Sequence, residues 1–229
     1  MPRSPESTLP ATMLEILTAE RPRLRGRLHQ VAFFASIPAG IAVTLAAEGS
    51  TARTGAVVYA LSLTALFATS AGYHRLARSV RSRMWMRRLD HAMIFVLIAG
   101  SYTPVCLVAL DGAWRSVSLS VVWAGALVGV ALKLFRLEAM RLGNSLYLVL
   151  GWAVLVLVPQ LLGRPLVLGL LAAGGVLYTL GAVVLTRRSP DPVPAVFGYH
   201  EVWHCLVVAA SACHYLMILV LVRSPWPAS

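Results

Sequence analysis

Long apolar runs parted by short, arginine-rich intervals set the pattern of this chain. Seven can be read, at approximately 28–47, 54–74, 90–110, 115–135, 143–162, 165–186 and 198–222. Each is close to the roughly 20 residues a helix needs to cross about 30 Å of hydrocarbon. The pattern predicts an all-α, polytopic membrane protein with seven transmembrane helices, laid out as a segment 1–27, a membrane domain 28–222 and a tail 223–229. The third run starts weakly, at Asp90 and His91, and only the charged loop Lys133 to Arg141 separates the fourth from the fifth. No internal repeat or inverted symmetry of the transporter kind is legible.

Composition sharpens this picture. With 58% hydrophobic residues, 13% charged residues and a mean hydropathy of +0.74, the 229-residue chain is too apolar for an ordinary soluble domain. A net charge of +11 would suit a nucleic-acid partner. The basic residues, however, sit in clusters between apolar runs, as cytoplasmic loops do, so no nucleic acid is expected. Sixteen of the 20 Lys and Arg fall on one side of the alternating spans, against Arg53, Arg115, Arg164 and Arg223 on the other. That asymmetry puts the N-terminus in the cytoplasm and, after seven crossings, the C-terminus outside. Cys106, Cys205 and Cys213 all lie in spans, which predicts neither a disulfide framework nor a Cys-pair metal motif. Residues 12–27 mix Met13, Leu14, Leu17 and Leu24 with charges around Pro22. They read equally well as a segment on the inner membrane surface and as a solvated tail. Nothing before residue 30 resembles a cleaved signal peptide.

Ionisable groups inside spans are costly and need a partner or a function. Here they are His74, Asp90, His91, His200, Glu201, His204 and His214. By loop charge, the second span ends inward at His74, the third leaves the cytoplasm at Asp90 and the seventh at His200, so these groups share the inner leaflet. His200 and His204 are one helical turn apart and face the same way. With His74 they make a three-histidine set, which suits zinc with a fourth position for water. Asp90 is placed to accept a proton from that water, and Ser70, one turn before His74, to donate near it. Simpler readings stand beside these: an interfacial His74, an Asp90 paired with Arg87 or Arg88, a Ser70 that only joins helices. His29, at the head of the first span, is expected at the interface rather than among the ligands. His91 is expected to be solvated or to support the site. His214 lies about 15 Å beyond His204 at roughly 1.5 Å per residue, too deep to share the ion, and is expected to bond between helices.

Three separated motifs carry a resemblance: SAGYH at 70–74, RLDHAMIF at 88–95 leading to IAGSYTP at 98–104, and GYHEVWH at 198–204 with His214. Together they resemble the hemolysin III branch of the progestin and adipoQ receptor family. The resemblance implies seven helices holding a zinc ion near the cytoplasmic face through His74, His200 and His204, with Asp90 holding the zinc-bound water and Ser70 as the serine of the first motif. Animal receptors of this type commonly carry Gln where this chain has Glu201, which is similar to bacterial members. The resemblance implies a bacterial plasma membrane location and extends in site chemistry to alkaline ceramidases and other intramembrane zinc hydrolases.

The function expected first is zinc-dependent hydrolysis of a lipid amide or ester, in membrane lipid homeostasis, with membrane lipids as partners. A membrane sensor with a structural zinc, a cytolytic pore and an intramembrane metalloprotease are the alternatives. The pore is disfavoured because the ionisable residues gather at one depth instead of lining a path. The protease reading uses His200-Glu201-x-x-His204 with Glu201 as base. The partner residues reduce Glu201 to a bystander and move the catalytic role to Asp90.

Overall fold

The third helix is the axis of the bundle. The computed structural model describes residues 21–135 and 140–223, so the expectations for residues 1–20, for loop residues 136–139 and for the tail beyond 223 lie outside the described residues. Within them run α1 (Arg27–Ala46), α2 (Gly49–Arg75), α3 (Val80–Ala109), α4 (Gly112–Phe135), α5 (Met140–Trp152), α6 (Pro165–Arg187) and α7 (Tyr199–Arg223). Six are long and apolar enough to cross a membrane, and a shorter apolar stretch, Leu146–Leu161, forms the fifth segment. The chain is a polytopic all-α membrane protein. In α3, 61% of the apolar window is buried, against 22% in α4 and in α6. α3 packs on α2, α4, α5 and α7, and α1 closes the ring between α2 and α7.

Close approach at the axis depends on small residues, as in other membrane bundles. A methyl group on Gly100 of α3 would run into the Ser62 side chain of α2, and one on Gly55 would meet Pro104. Phe95, fully buried, lies beneath Gly129 of α4.

Two elements differ from the sequence expectation. α3 begins at Val80, ten residues before the apolar run, because the Ser79 side chain caps it by accepting from the Ser82 N–H at 3.2 Å. Arg81, Arg83, Arg87 and Arg88 therefore ride on a helix that continues beyond the apolar core, and Asp90 stands in its third turn. The fifth span is interrupted: α5 gives way to a 3-10 turn, Ala153–Leu157, before a short helix, Val158–Leu161. Pro159 explains the break, since it lacks an N–H and its ring clashes with the carbonyl four residues earlier. Lys133, counted with the charged loop, instead sits buried in the last turn of α4.

Candidate metal centre

The start of α7 shows what the glutamate of the His-Glu-x-x-His motif does. With Gly198 as the residue before the helix, Glu201 is the third helical position, and its Oε2 accepts the Gly198 N–H at 2.9 Å. This is the returning half of a capping box, and it brings negative charge to the positive end of the helix dipole. Its other oxygen, Oε1, pairs with Arg25 Nε, and the residue is 1% exposed. Glu201 is thus occupied in starting α7 and holding the N-terminal segment, which is more than the bystander role the sequence suggests.

His200 and His204, in the first and second turns of α7, lie against His74 in the last turn of α2. One ring nitrogen from each of the three lies within 4.8 Å of the others. His74 Nε2 and His200 Nε2 are 3.2 Å apart. Two nitrogens each 2.0–2.1 Å from a tetrahedral zinc are separated by roughly 3.3 Å, so this spacing fits a shared ion. Both nitrogens of His204 and Nδ1 of His74 are buried without a hydrogen-bond partner among the described residues. Buried polar atoms left unpaired cost about 1–3 kcal/mol each, a cost that ligation removes at the ligating atom. The residues therefore fit a metal ion.

Asp90 and Ser70 come to the edge of this set. Asp90 Oδ2 is 4.0 Å from His74 Nε2, and Asp90 also interacts with the Ser70 hydroxyl. His29 corrects the sequence expectation. It is 3% exposed rather than interfacial, its Nδ1 lies 2.8 Å from Ser70 Oγ, and its ring stacks on His204 with centroids 3.7 Å apart. The reason is that α1 starts at the same end of the bundle as the ligand-bearing turns, wedged between α2 and α7. His91 is half-buried and outside the ligand group. His214 stands apart as expected, with Nε2 3.4 Å from the Leu171 carbonyl and its ring edge toward Tyr178.

The segment before α1 forms a strap over the centre. Arg23 and Leu24 donate backbone N–H bonds to the carbonyls of Ala195 and Val196, both 3.1 Å. Arg21 Nη1 donates to the carbonyls of Tyr73 and His74 at 2.9 and 2.7 Å, capping the end of α2, and burial there lowers its pKa from the ordinary arginine value. Gly26 takes φ +77 and lies so close to His74 that a β-carbon would collide with the His74 Cβ. The described part of the segment is therefore docked, not a free tail.

Behind the centre a cavity of about 410 Å³ runs into the bundle. His29, Ser70 and Asp90 form its polar end; Leu66, Ile94, Leu97, Val105 and Leu171 are among its apolar walls, and His214 lies on its lining. Leu155 and Trp152 complete the wall on the α5 side and are exposed on the outer surface. The strap lies against the His74 side of the centre, and the cavity reaches the cluster at His29, Ser70 and Asp90, while His74, His200 and His204 are not part of its lining.

The structure brings His74, His200, His204, Asp90 and Ser70 together and leaves His91 and His214 out. Sequence reasoning missed His29, Arg25 and Gly26. For His29 the signal was available, since an imidazole at the cytoplasmic head of a span shares the depth of His74. Arg25 and Gly26 carry no such signal, because their partners are 176 and 48 residues away in the chain.

Comparison with known proteins agrees with this architecture. Residues 17–215 match the family model described as "Haemolysin-III related". The chain is similar to Hemolysin-3 of Bacillus cereus, 30% identical over 201 residues, covering 85% of this chain and 88% of the relative. It is also similar to the Hemolysin-3 homolog of Bacillus subtilis, 29% identical with 83% and 89% covered. Monocyte to macrophage differentiation factor of Homo sapiens is 30% identical over 180 residues, 73% of this chain and 71% of the relative. Seven apolar helical segments and three converging histidines among the described residues, with a family match over most of the length, lead to one assignment: the chain belongs to the haemolysin-III-related family of multi-pass plasma-membrane proteins.

Proposed function

We propose that this protein is an intramembrane, zinc-dependent hydrolase of lipid amides or esters that acts in membrane lipid homeostasis. The observation that carries the reading is the position of Asp90, at once 4.0 Å from the ligand His74 and part of the wall of an apolar cavity. Such a cavity suits an acyl chain, with its carbonyl drawn to the polar end. Zinc held by His74, His200 and His204 would supply Lewis acidity and water that ionises near neutral pH.

The chain's own groups supply the rest. Asp90 takes one proton from the attacking water as the water oxygen bonds to the acyl carbon, and returns it to the amine or alkoxide as the C–N or C–O bond breaks. The products are a free fatty acid and an amine or alcohol. Ser70 donates its hydrogen to Asp90 while that carboxylate is charged. Once Asp90 is protonated, the hydroxyl is free to turn to the developing oxyanion. The test is fatty-acid release, followed by mass spectrometry, from an N-acyl lipid and an acyl ester by purified protein with one zinc per chain. Release that disappears in Asp90→Asn supports the proposal, and zinc-loaded protein that releases nothing from either class overturns it.

The strap favours a second reading, a sensor in which zinc only ties α2 to α7. It buries His74 beneath Gly26 and Arg21 and narrows entry from that side. Zinc removal would then lower the unfolding temperature of a protein with no hydrolytic activity.

A further inference from the structure

We infer that His29 is a positioning residue of the metal centre: anchored by Ser70, it holds the ring of His204 in the plane that ligation requires. The inference rests on the reading of His74, His200 and His204 as metal ligands. A metal-ligating histidine ordinarily has its ring orientation set by a hydrogen bond on the second nitrogen. His204 has no such bond, for both of its nitrogens are buried without a hydrogen-bond partner among the described residues. Its orientation must come from packing. The ring lying flat on it is that of His29, with planes 13° apart and centroids 3.7 Å apart. The other rings around His204 are inclined to it, by 64° for His200, 61° for His74 and 49° for Trp203.

His29 is itself held from two directions. Phe67 meets its ring edge-on, at 5.2 Å between centroids. Ser70 Oγ lies 2.8 Å from its Nδ1, which fixes rotation of the imidazole about its own side chain. The tautomer of His29 sets which of the two atoms donates in this bond, and either direction anchors the ring. His29 itself is not among the converging ligand nitrogens. α1 thereby takes part in the centre without supplying a ligand.

The test compares ring with bulk. Full-length protein stripped of metal is titrated with cobalt(II), whose visible absorption reports ligand geometry, and zinc affinity is read by competition. His29→Leu keeps apolar volume without a flat face and should weaken zinc binding about 10–100-fold, with an altered cobalt spectrum, which is the range for losing a residue that orients a ligand. His29→Phe keeps the face but loses the anchor, and Ser70→Ala keeps the imidazole but loses the anchor; both should bind zinc more tightly than His29→Leu and resemble each other. Unfolding of each metal-free variant reports its folding separately. Leu and Phe variants of equal affinity, whether both near wild type or both weak, overturn the inference. Wild-type protein that binds neither metal removes it together with the metal reading. Wild-type protein that binds zinc but hydrolyses no lipid removes the hydrolase alone.

Discussion

His204 and His214 lie on the same helix, ten residues apart, and meet different fates. His204, fully buried, faces three other imidazoles. His214 spends its Nε2 on the Leu171 carbonyl, seated where Gly174 of α6 leaves room for its ring. One end of α7 carries a ring whose two nitrogens have no hydrogen-bond partner among the described residues, and the other carries a hydrogen bond between two helices. Residue type alone does not make a ligand in a membrane. What matters is whether neighbouring helices bring further donors to the same depth or a carbonyl that satisfies the ring.

This contrast can be broken experimentally. The largest effect is expected from His204→Ala, which should reduce bound zinc from one per chain to near zero, whereas His214→Ala should leave it at one; metal analysis of the purified proteins decides. Asp90→Asn should retain the metal and lower fatty-acid release about 10²–10⁴-fold, the range for a general acid–base group. Equal activity in the two proteins would remove Asp90 from the chemistry. Glu201→Gln should keep both metal and activity while costing about 2 kcal/mol of stability in thermal unfolding, because Arg25 loses a charged hydrogen-bond partner. A protein that keeps its stability but loses hydrolysis would instead mark Glu201 as a base of the metalloprotease kind. The smallest effect belongs to the far end of α7: the hydrogen bond lost in His214→Ala is worth about 0.6 kcal/mol, typical of bonds between membrane helices.

Much of the centre was legible because membranes make polar residues conspicuous. His74, Asp90, His200 and His204 stand out against apolar runs, and loop charge alone assigns them one depth. The same reasoning stops short where a residue's role depends on its neighbour's rotamer. His29 reads as interfacial because it heads the first span, yet packing between α2 and α7 buries it against His204. Glu201 reads as a bystander because the partner residues move the catalytic role to Asp90, whereas the capping bond to Gly198 follows from where α7 begins. The length of α3 was missed for a related reason: a cap at Ser79 starts a helix whether or not its first turns are apolar.

Sequence by itself determined that the chain spans a membrane as a helical bundle, because hydrocarbon leaves backbone polar groups no partners except those within a helix. It also determined which imidazoles share a depth, since span length and loop charge are one-dimensional quantities. Only the tertiary structure decided the strap over His74, the ring that holds His204 and the cavity beside Asp90. Those depend on which faces of distant helices meet, and side-chain contacts across 41 residues for His29 and Ser70, or 176 for Arg25 and Glu201, leave no periodicity in the chain to read.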